Sequence, residues 1–96
     1  MIEVEVKSIL NIKRIIGNED SQYIELEDKS TVKDALDKLI EIYGEELEKN
    51  IYGGKNNIKK GITILHNGSS IFAKKGLDTK LKDKDRILIF PPVGGG

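Results

Sequence analysis

The last seven residues, 90–96, are the part of the chain whose residue types and spacing could do chemistry. They read Phe-Pro-Pro-Val-Gly-Gly-Gly. Pro91 and Pro92 fix their own φ angles and stiffen the chain at this point. The glycines that follow carry no side chains, so their extended backbone could enter a channel too narrow for any other residue. We therefore predict a flexible tail over residues 91–96 that presents the carboxylate of Gly96 to a partner enzyme.

No other set of residues in the sequence has the spacing of a catalytic or metal site. The chain has no cysteine and one histidine, His66, which precedes Asn67-Gly68 and is predicted to lie at the surface in a turn. Gly53-Gly54-Lys55 lacks the spacing of a phosphate-binding loop. We expect no metal, no cofactor and no stand-alone active site, so the tail is either the functional group or a frayed terminus without a role.

Length and hydropathy predict one soluble domain over residues 1–96. No apolar run approaches the roughly 20 residues that a membrane span needs. The opening residues 1–7 alternate charged and apolar side chains, which is not the pattern of a signal peptide. The expectation from these features is a cytoplasmic protein that does not contact a membrane.

The charges are divided unevenly between the two halves of the chain. Residues 1–50 carry 7 Lys and Arg against 13 Asp and Glu, whereas residues 51–96 carry 9 against 3. A basic half can bind nucleic acid, but this one lacks the interleaved aromatic residues on which single-strand binders stack bases. We therefore expect the halves to neutralise each other in the fold, with no nucleic-acid partner.

The first half of the chain predicts two strands and a helix. Residues 2–7 and 23–27 alternate with period two and should pair as a hairpin. Thr31 can cap a helix whose apolar stripe runs to Tyr43 at helical spacing, and Gly44 follows where a helix commonly ends. A further helical turn is expected over residues 45–51.

The second half predicts a loop and three shorter strands. Residues 52–61 are rich in Gly, Asn and Lys and are predicted to form a mobile loop. Strands are expected over residues 62–65, 70–73 and 86–90, the last of them ended by the two prolines. If the first and last strands pair in parallel at the centre, the chain folds as an α+β roll of the β-grasp (ubiquitin-like) type. In that fold a mixed sheet carries one main helix on one face.

The last strand also predicts a docking surface. If Ile87 and Ile89 face the core, period two places Leu88 and Phe90 on the opposite face, where Leu65 of a neighbouring strand can join them. An exposed apolar patch of this kind beside the tail would bind a partner. The alternative is that the chain's own loops cover these side chains.

The segment from Ile87 to the end resembles the carboxyl end of the molybdopterin synthase small subunit family, which are ubiquitin-like sulfur carriers. In that family a strand is followed by Pro-Pro-Val, one variable residue and Gly-Gly. The residues that match this ending are Pro91, Pro92, Val93, Gly94, Gly95 and Gly96. Gly94 fills the variable position, so this chain ends in three glycines. The resemblance covers nearly the whole chain, which is somewhat long for the family through residues 17–22 and 52–61.

The resemblance implies a sulfur carrier without an active site of its own, the small subunit of molybdopterin synthase. An adenylating activating enzyme would join the Gly96 carboxylate to AMP, and a sulfur donor would displace the AMP to leave a thiocarboxylate. Residues 91–95 would insert into the molybdopterin synthase large subunit, where the sulfur is used to make the molybdenum or tungsten cofactor.

Three other functions remain open at this point. The first is a protein modifier, in which Gly96 is joined to a substrate lysine as in ubiquitin. The second is sulfur delivery to thiamine or transfer RNA, although thiamine carriers are usually shorter and lack Pro-Pro-Val. The third is an interaction domain with an inert tail.

Overall fold

The structure, a computed structural model, describes residues 1–54 and 57–92. Within these two ranges no helix is long and apolar enough to cross a membrane. In chain order the strands and α-helices are β1 (Ile2–Ser8), α1 (Leu10–Ile15), β2 (Gln22–Leu26), α2 (Val32–Tyr43), α3 (Glu45–Ile51), β3 (Tyr52–Gly54), β4 (Asn57–Ile58), β5 (Thr63–His66), β6 (Ser69–Ser70) and β7 (Arg86–Phe90). Two 3₁₀ turns, Ile71–Ala73 and Gly76–Asp78, lie between β6 and β7.

Five of the strands form one mixed sheet in the order β2-β1-β7-β5-β6. The first and last strands, β1 and β7, run parallel at its centre, and the other neighbours are antiparallel, including the predicted β1–β2 hairpin. Alternate side chains of each strand face the core, as Ile87 and Ile89 do in β7. The predicted α+β roll is therefore confirmed.

Helix α2 covers one face of this sheet, as predicted from its capping residues and apolar stripe. The Thr31 hydroxyl accepts a hydrogen bond from the Asp34 N–H, and the Asp34 carboxylate accepts one from the Thr31 N–H. This reciprocal pair satisfies two donors that a helix start leaves free. Leu36 and Leu39 are fully buried, and Gly44 ends the helix with a φ of +89°, which favours glycine.

The segment predicted as a loop, residues 52–61, contains a two-stranded ribbon instead. Tyr52 of β3 lies opposite Ile58 of β4, and both side chains pack partly buried against the core. The Lys59 N–H also bonds to the Ile51 carbonyl at 2.7 Å. The prediction was wrong because Tyr52 and Ile58, the two residues that pack against the core, are separated by five residues and form no period-two pattern. Similarly, only Ser70 of the predicted strand over residues 70–73 lies in a strand, β6, and Ile71–Ala73 is a 3₁₀ turn.

His66 is not the surface residue that its place before Asn67-Gly68 predicted. It is the last residue of β5 and is only 8% exposed. Its Nε2 lies 2.7 Å from Oδ2 of Asp85, and Lys74 donates from Nζ to Nδ1 at 2.8 Å. Because a lysine ammonium can only donate, Nδ1 accepts and Nε2 carries the proton that is donated to Asp85. The His66–Asp85 hydrogen bond connects the end of β5 to the residue that precedes β7.

Asp85 makes the stability of this connection depend on pH. Burial raises the pKa of the Asp85 carboxyl, but hydrogen bonds from His66, Asn67 and the Lys82 N–H outweigh it, and the net pKa is lowered. The charged carboxylate thus stabilises the fold above the unfolded pKa of about 3.9. That contribution is lost as the pH falls through the lower folded pKa.

Replacing Asp85 with Asn should therefore lower the free energy of unfolding at neutral pH and flatten its fall under acid conditions. Urea denaturation between about pH 6 and pH 2 measures both effects. Asp78→Asn, at an exposed site, is the control and should follow the wild-type curve. Parallel curves for wild type and Asp85→Asn would contradict the role given to this carboxylate.

The two oppositely charged halves meet in the sheet. Arg86 Nε of β7 lies 2.8 Å from Oε1 of Glu5 on β1, and Lys84 Nζ lies 3.2 Å from Oε1 of Glu3. Both pairs join an acid of the first half to a cation of the second. The expected local neutralisation is confirmed for these residues.

Candidate docking surface and tail exit

Strand β7 carries the chain from the centre of the sheet to the predicted tail. It lies between β1 and β5, and the Ser8 hydroxyl of β1 donates a buried hydrogen bond of 2.7 Å to the Ile89 carbonyl. Pro91 is buried and Pro92 is exposed, so the chain leaves the domain between these two residues. The predicted site residues that remain, Val93, Gly94, Gly95 and Gly96, lie outside the described residues.

Gly61 packs against Pro92, where the chain leaves the domain. Its φ is +93°, a conformation that side chains of L-residues rarely adopt. A Cβ at this position would lie 3.0 Å from both Cβ and Cγ of Pro92. The contact between Gly61 and Pro92 requires glycine for both reasons, and it fixes the direction in which the chain leaves β7.

Replacing Gly61 with Ala should destabilise the domain more than the same change at Gly68. Gly68 has nearly the same φ, +89°, but open space where a Cβ would go. Gly68→Ala should cost about 1–2 kcal/mol for the left-handed backbone alone. Gly61→Ala should cost about 1 kcal/mol more because Pro92 must move. Urea denaturation of the two variants gives the difference, and equal costs would show that Pro92 does not pack against Gly61.

We call Leu65, Leu88 and Phe90 the outer patch. All three lie on the face of the sheet opposite α2 and are partly exposed. Leu88 lies directly across from Leu65 on β5 and from Lys7 on β1, and Phe90 lies across from Thr63. The chain's own loops therefore cover these side chains only in part, and the structure brings the three predicted docking residues together beside the exit of the tail.

An open groove of about 440 Å³ runs along one side of the outer patch, between β7 and the chain that follows β1. Leu88 and Phe90 form one wall, and Ile9 belongs to the other. Lys13 and Asp20 pair across 2.8 Å at its rim, and the hydrogen bond from Lys13 lowers the pKa of Asp20. The groove combines apolar walls with a charged rim, which is typical of a surface that binds another protein.

Three further exposed apolar residues were not predicted from the sequence. Leu10 is 59% exposed and has a φ of +57°, unusual for a bulky side chain. Phe72 is 61% exposed and lies two residues after Ser70, the strand partner of Leu65. Ile9 is also exposed. Phe72 belongs to the predicted strand over residues 70–73 and no strand was predicted at Ile9 or Leu10, so only their exposure in the structure identifies them.

The polar border of the patch is held by paired charges. The hydrogen bond from the Ser21 side chain, together with the nearby Arg86 and Lys7, lowers the pKa of the Glu5 carboxyl. The Tyr23 hydroxyl also donates to Glu5 at 3.3 Å. Glu5 therefore stays ionised at neutral pH and neutralises Arg86 beside Leu88.

Comparison with known proteins decides the family of this chain. The sequence profile of the ThiS family matches residues 10–96. The chain belongs to the ThiS family. This ThiS-family protein is thus a ubiquitin-like protein of the sulfur-carrier and modifier class.

Three relatives are similar over almost the whole length. Small archaeal modifier protein 3 of Haloferax volcanii is 30% identical over 95 residues, which is 99% of this chain and 100% of the relative. The solution structure of small archaeal modifier protein 1 from Methanosarcina acetivorans is 33% identical, with a TM-score of 0.84 and coverage of 100% and 98%. A Pyrococcus furiosus structure described as "Putative molybdopterin converting factor, subunit 1" is 26% identical, with a TM-score of 0.77 and coverage of 97% and 100%. These similarities confirm the predicted ubiquitin-like β-grasp fold.

Proposed function

We propose that this ThiS-family protein carries sulfur as a thiocarboxylate on Gly96 and donates it in the synthesis of molybdopterin. The observation that supports this most is the position of the tail. It follows directly on the central strand β7, at the buried Pro91 and beside the outer patch. A partner that binds the patch would therefore lie beside the point from which the chain continues to Gly94, Gly95 and Gly96.

The chemistry divides into two steps, the first at the α-phosphorus of ATP and the second at the carbonyl carbon of Gly96. A carboxylate oxygen of Gly96 attacks the α-phosphate of ATP, and pyrophosphate leaves. Hydrosulfide, supplied at the sulfide oxidation level by a sulfur donor, then attacks the carbonyl carbon, AMP leaves with the oxygen, and loss of the S–H proton leaves a thiocarboxylate. In this proposal an activating enzyme supplies the catalytic groups and this protein supplies the acyl group.

The assignment to molybdopterin is supported by two resemblances. The Pro91-Pro92-Val93 ending is that of the molybdopterin synthase small subunit family. The Pyrococcus furiosus relative is named as a subunit of the molybdopterin converting factor and is similar over its full length. We infer that the tail is accepted by the large synthase subunit and that the outer patch binds to that subunit.

A second function, the modification of proteins, is favoured by the relatives named as modifiers. The Haloferax volcanii relative is aligned over its entire length, and the Methanosarcina acetivorans structure has the highest identity of the three compared. In this case the activated carbonyl of Gly96 would be attacked by a lysine amine, which forms an isopeptide bond. Both functions use the same activated carboxylate and differ only in the nucleophile.

Mass spectrometry of the C-terminal peptide distinguishes the two. The protein is purified without a tag from its native cells, and the peptide is read rather than the intact mass, because exchange of oxygen for sulfur is nominally isobaric with oxidation of Met1. Sulfur on Gly96 is the expected result. Gly96 joined to lysines of other proteins would favour the modifier. An unmodified carboxylate, even after incubation with the activating enzyme and ATP, would contradict both proposals.

A further inference from the structure

Strand β2 is an edge of the five-stranded sheet and has a strand partner on one side only among the described residues. In an antiparallel pair, alternate residues direct both backbone groups to the partner strand. On β1 the backbone of Glu3 and Glu5 bonds toward the β7 side, since Lys84 N–H donates to the Glu3 carbonyl and Glu5 N–H donates to the Asp85 carbonyl. The β1 residues that bond to β2 are therefore Ile2, Val4 and Val6.

This alternation identifies the free groups on β2. The partners of the three bonding residues are Leu26, Ile24 and Gln22. The N–H and C=O groups of Tyr23 and Glu25 consequently point away from β1, along the open edge. Four backbone groups in an extended strand are thus available to a further strand.

An open groove of about 450 Å³ runs between this edge and helix α2, and it is strongly acidic. The acidic residues that line it are Glu25, Glu27, Asp34, Asp37 and Glu41, although the Glu25 side chain shares the outer face of the sheet with Tyr23. Asp34 is used in the helix cap and Asp37 is paired with Lys33. In the part of the chain that the structure describes, the three glutamates have no ion-pair partner. Lys38 and the N-terminal ammonium of Met1, which pairs with Asp28, also line the groove, so its five acidic residues exceed its cations and the net charge next to the unpaired backbone groups is negative.

Apolar side chains lie at both faces of the same edge. Ile42, which follows Glu41 on α2, is 52% exposed. It lies one helical turn beyond Lys38, which lines the groove, so it continues the same face of the helix. Tyr23, on the opposite face of the sheet, is 63% exposed. A peptide strand at this edge would place alternate side chains toward Ile42 and Tyr23.

We propose that the β2 edge and the acidic groove bind an extended, basic peptide segment of a partner protein, which adds to the sheet as another strand. Main-chain bonds to Tyr23 and Glu25 would give affinity, and the acidic groove would select Lys or Arg at alternate positions. A second copy of this chain fits poorly, because it would bring the glutamates of two grooves together. The site is separate from the tail and the outer patch, and the inference does not depend on the proposed function.

NMR titration of the full-length chain with a synthetic peptide tests the proposal. The probe is acetyl-Lys-Val-Lys-Val-Lys-Val-Lys-amide, and the control peptide has Glu in place of each Lys. The basic peptide is expected to shift the amide signals of Tyr23, Glu25 and residues 34–42, with an affinity that falls as salt is added. The control peptide should leave them unchanged.

Two variants separate backbone pairing from charge. Glu25→Pro removes an N–H that does not bond to β1, so the sheet is kept while binding should weaken at least about tenfold relative to Glu25→Gln, the control that removes the charge alone. Glu41→Lys should weaken it similarly, whereas Glu48→Lys, on the exposed face of α3, should not. The proposal is overturned if neither peptide binds, if both bind equally, if the shifts fall on the outer patch, if Glu25→Pro and Glu41→Lys bind as wild type, or if the edge proves to pair with a second copy.

Discussion

Removal of Gly95 and Gly96 is expected to abolish both sulfur loading and conjugation. The shortened chain would end at Gly94, and its carboxylate would lie about 7 Å closer to the domain. Pro91 is buried and Pro92 packs against Gly61, so the domain cannot supply the missing length from these two residues. Because misplacement by 1 Å can cost about a hundredfold in rate, we expect a loss of at least that size.

The matched control is Gly94→Ala in the full-length chain. Gly94 fills the position that varies in the family ending, so this variant keeps the reach of the tail and the terminal Gly-Gly. It should be loaded at a rate close to wild type by the same activating enzyme, ATP and sulfur donor. Equal loading of the truncated chain would show that the acyl group is not carried at Gly96. Loss of loading in Gly94→Ala would show that the channel requires three glycines.

The parts of the fold that were predicted correctly depend on residues close together in sequence. Helix α2 has its cap, its stripe and its ending at Gly44 within fourteen residues of one another. Strand β7 alternates over five residues before Pro91 ends it. Each signal is local. Helix capping acts over one or two helical turns, and strand periodicity is visible over a few residues.

The parts that were missed depend on partners distant in sequence. The turn after His66 was predicted correctly, but the burial of His66 depends on Asp85, nineteen residues later, and on Lys74, eight residues later. Tyr52 pairs with Ile58 only because both meet the same core. No periodicity within either segment encodes these contacts.

In the candidate site, too, the features set by nearby residues were predicted and those set by distant residues were missed. Period two in β7 placed Leu88 and Phe90 on the outer face, and the pairing of β5 with β7 brought Leu65 beside Leu88. The exposure of Leu10 depends on a left-handed backbone that its side chain disfavours. The packing of Gly61 against Pro92 depends on how β5 begins. The sequence therefore predicted which strand carries the candidate docking residues, but not the residues that surround them.

Replacing Phe90 with Ala should weaken binding to both the activating enzyme and the large synthase subunit while leaving the fold intact. Phe90 is the last residue of β7 and lies on the outer face beside the groove, partly exposed. A buried aromatic at the centre of an interface commonly contributes about 1.4–2.7 kcal/mol, which is about a 10- to 100-fold change in affinity. Calorimetric titration of each partner measures this, and circular dichroism checks the fold.

Tyr23→Ala provides the control for loss of an aromatic ring from the same face. Tyr23 lies on β2, two strands from β7, and is more exposed than Phe90. If the outer patch is the docking surface, Tyr23→Ala should bind both partners as wild type does. Equal loss in the two variants would mean that the whole sheet face contributes, rather than the patch beside the tail. Unchanged affinity of Phe90→Ala for both partners would contradict docking at the outer patch, and the direction of the tail would then have to be set by Pro91 and Pro92 alone.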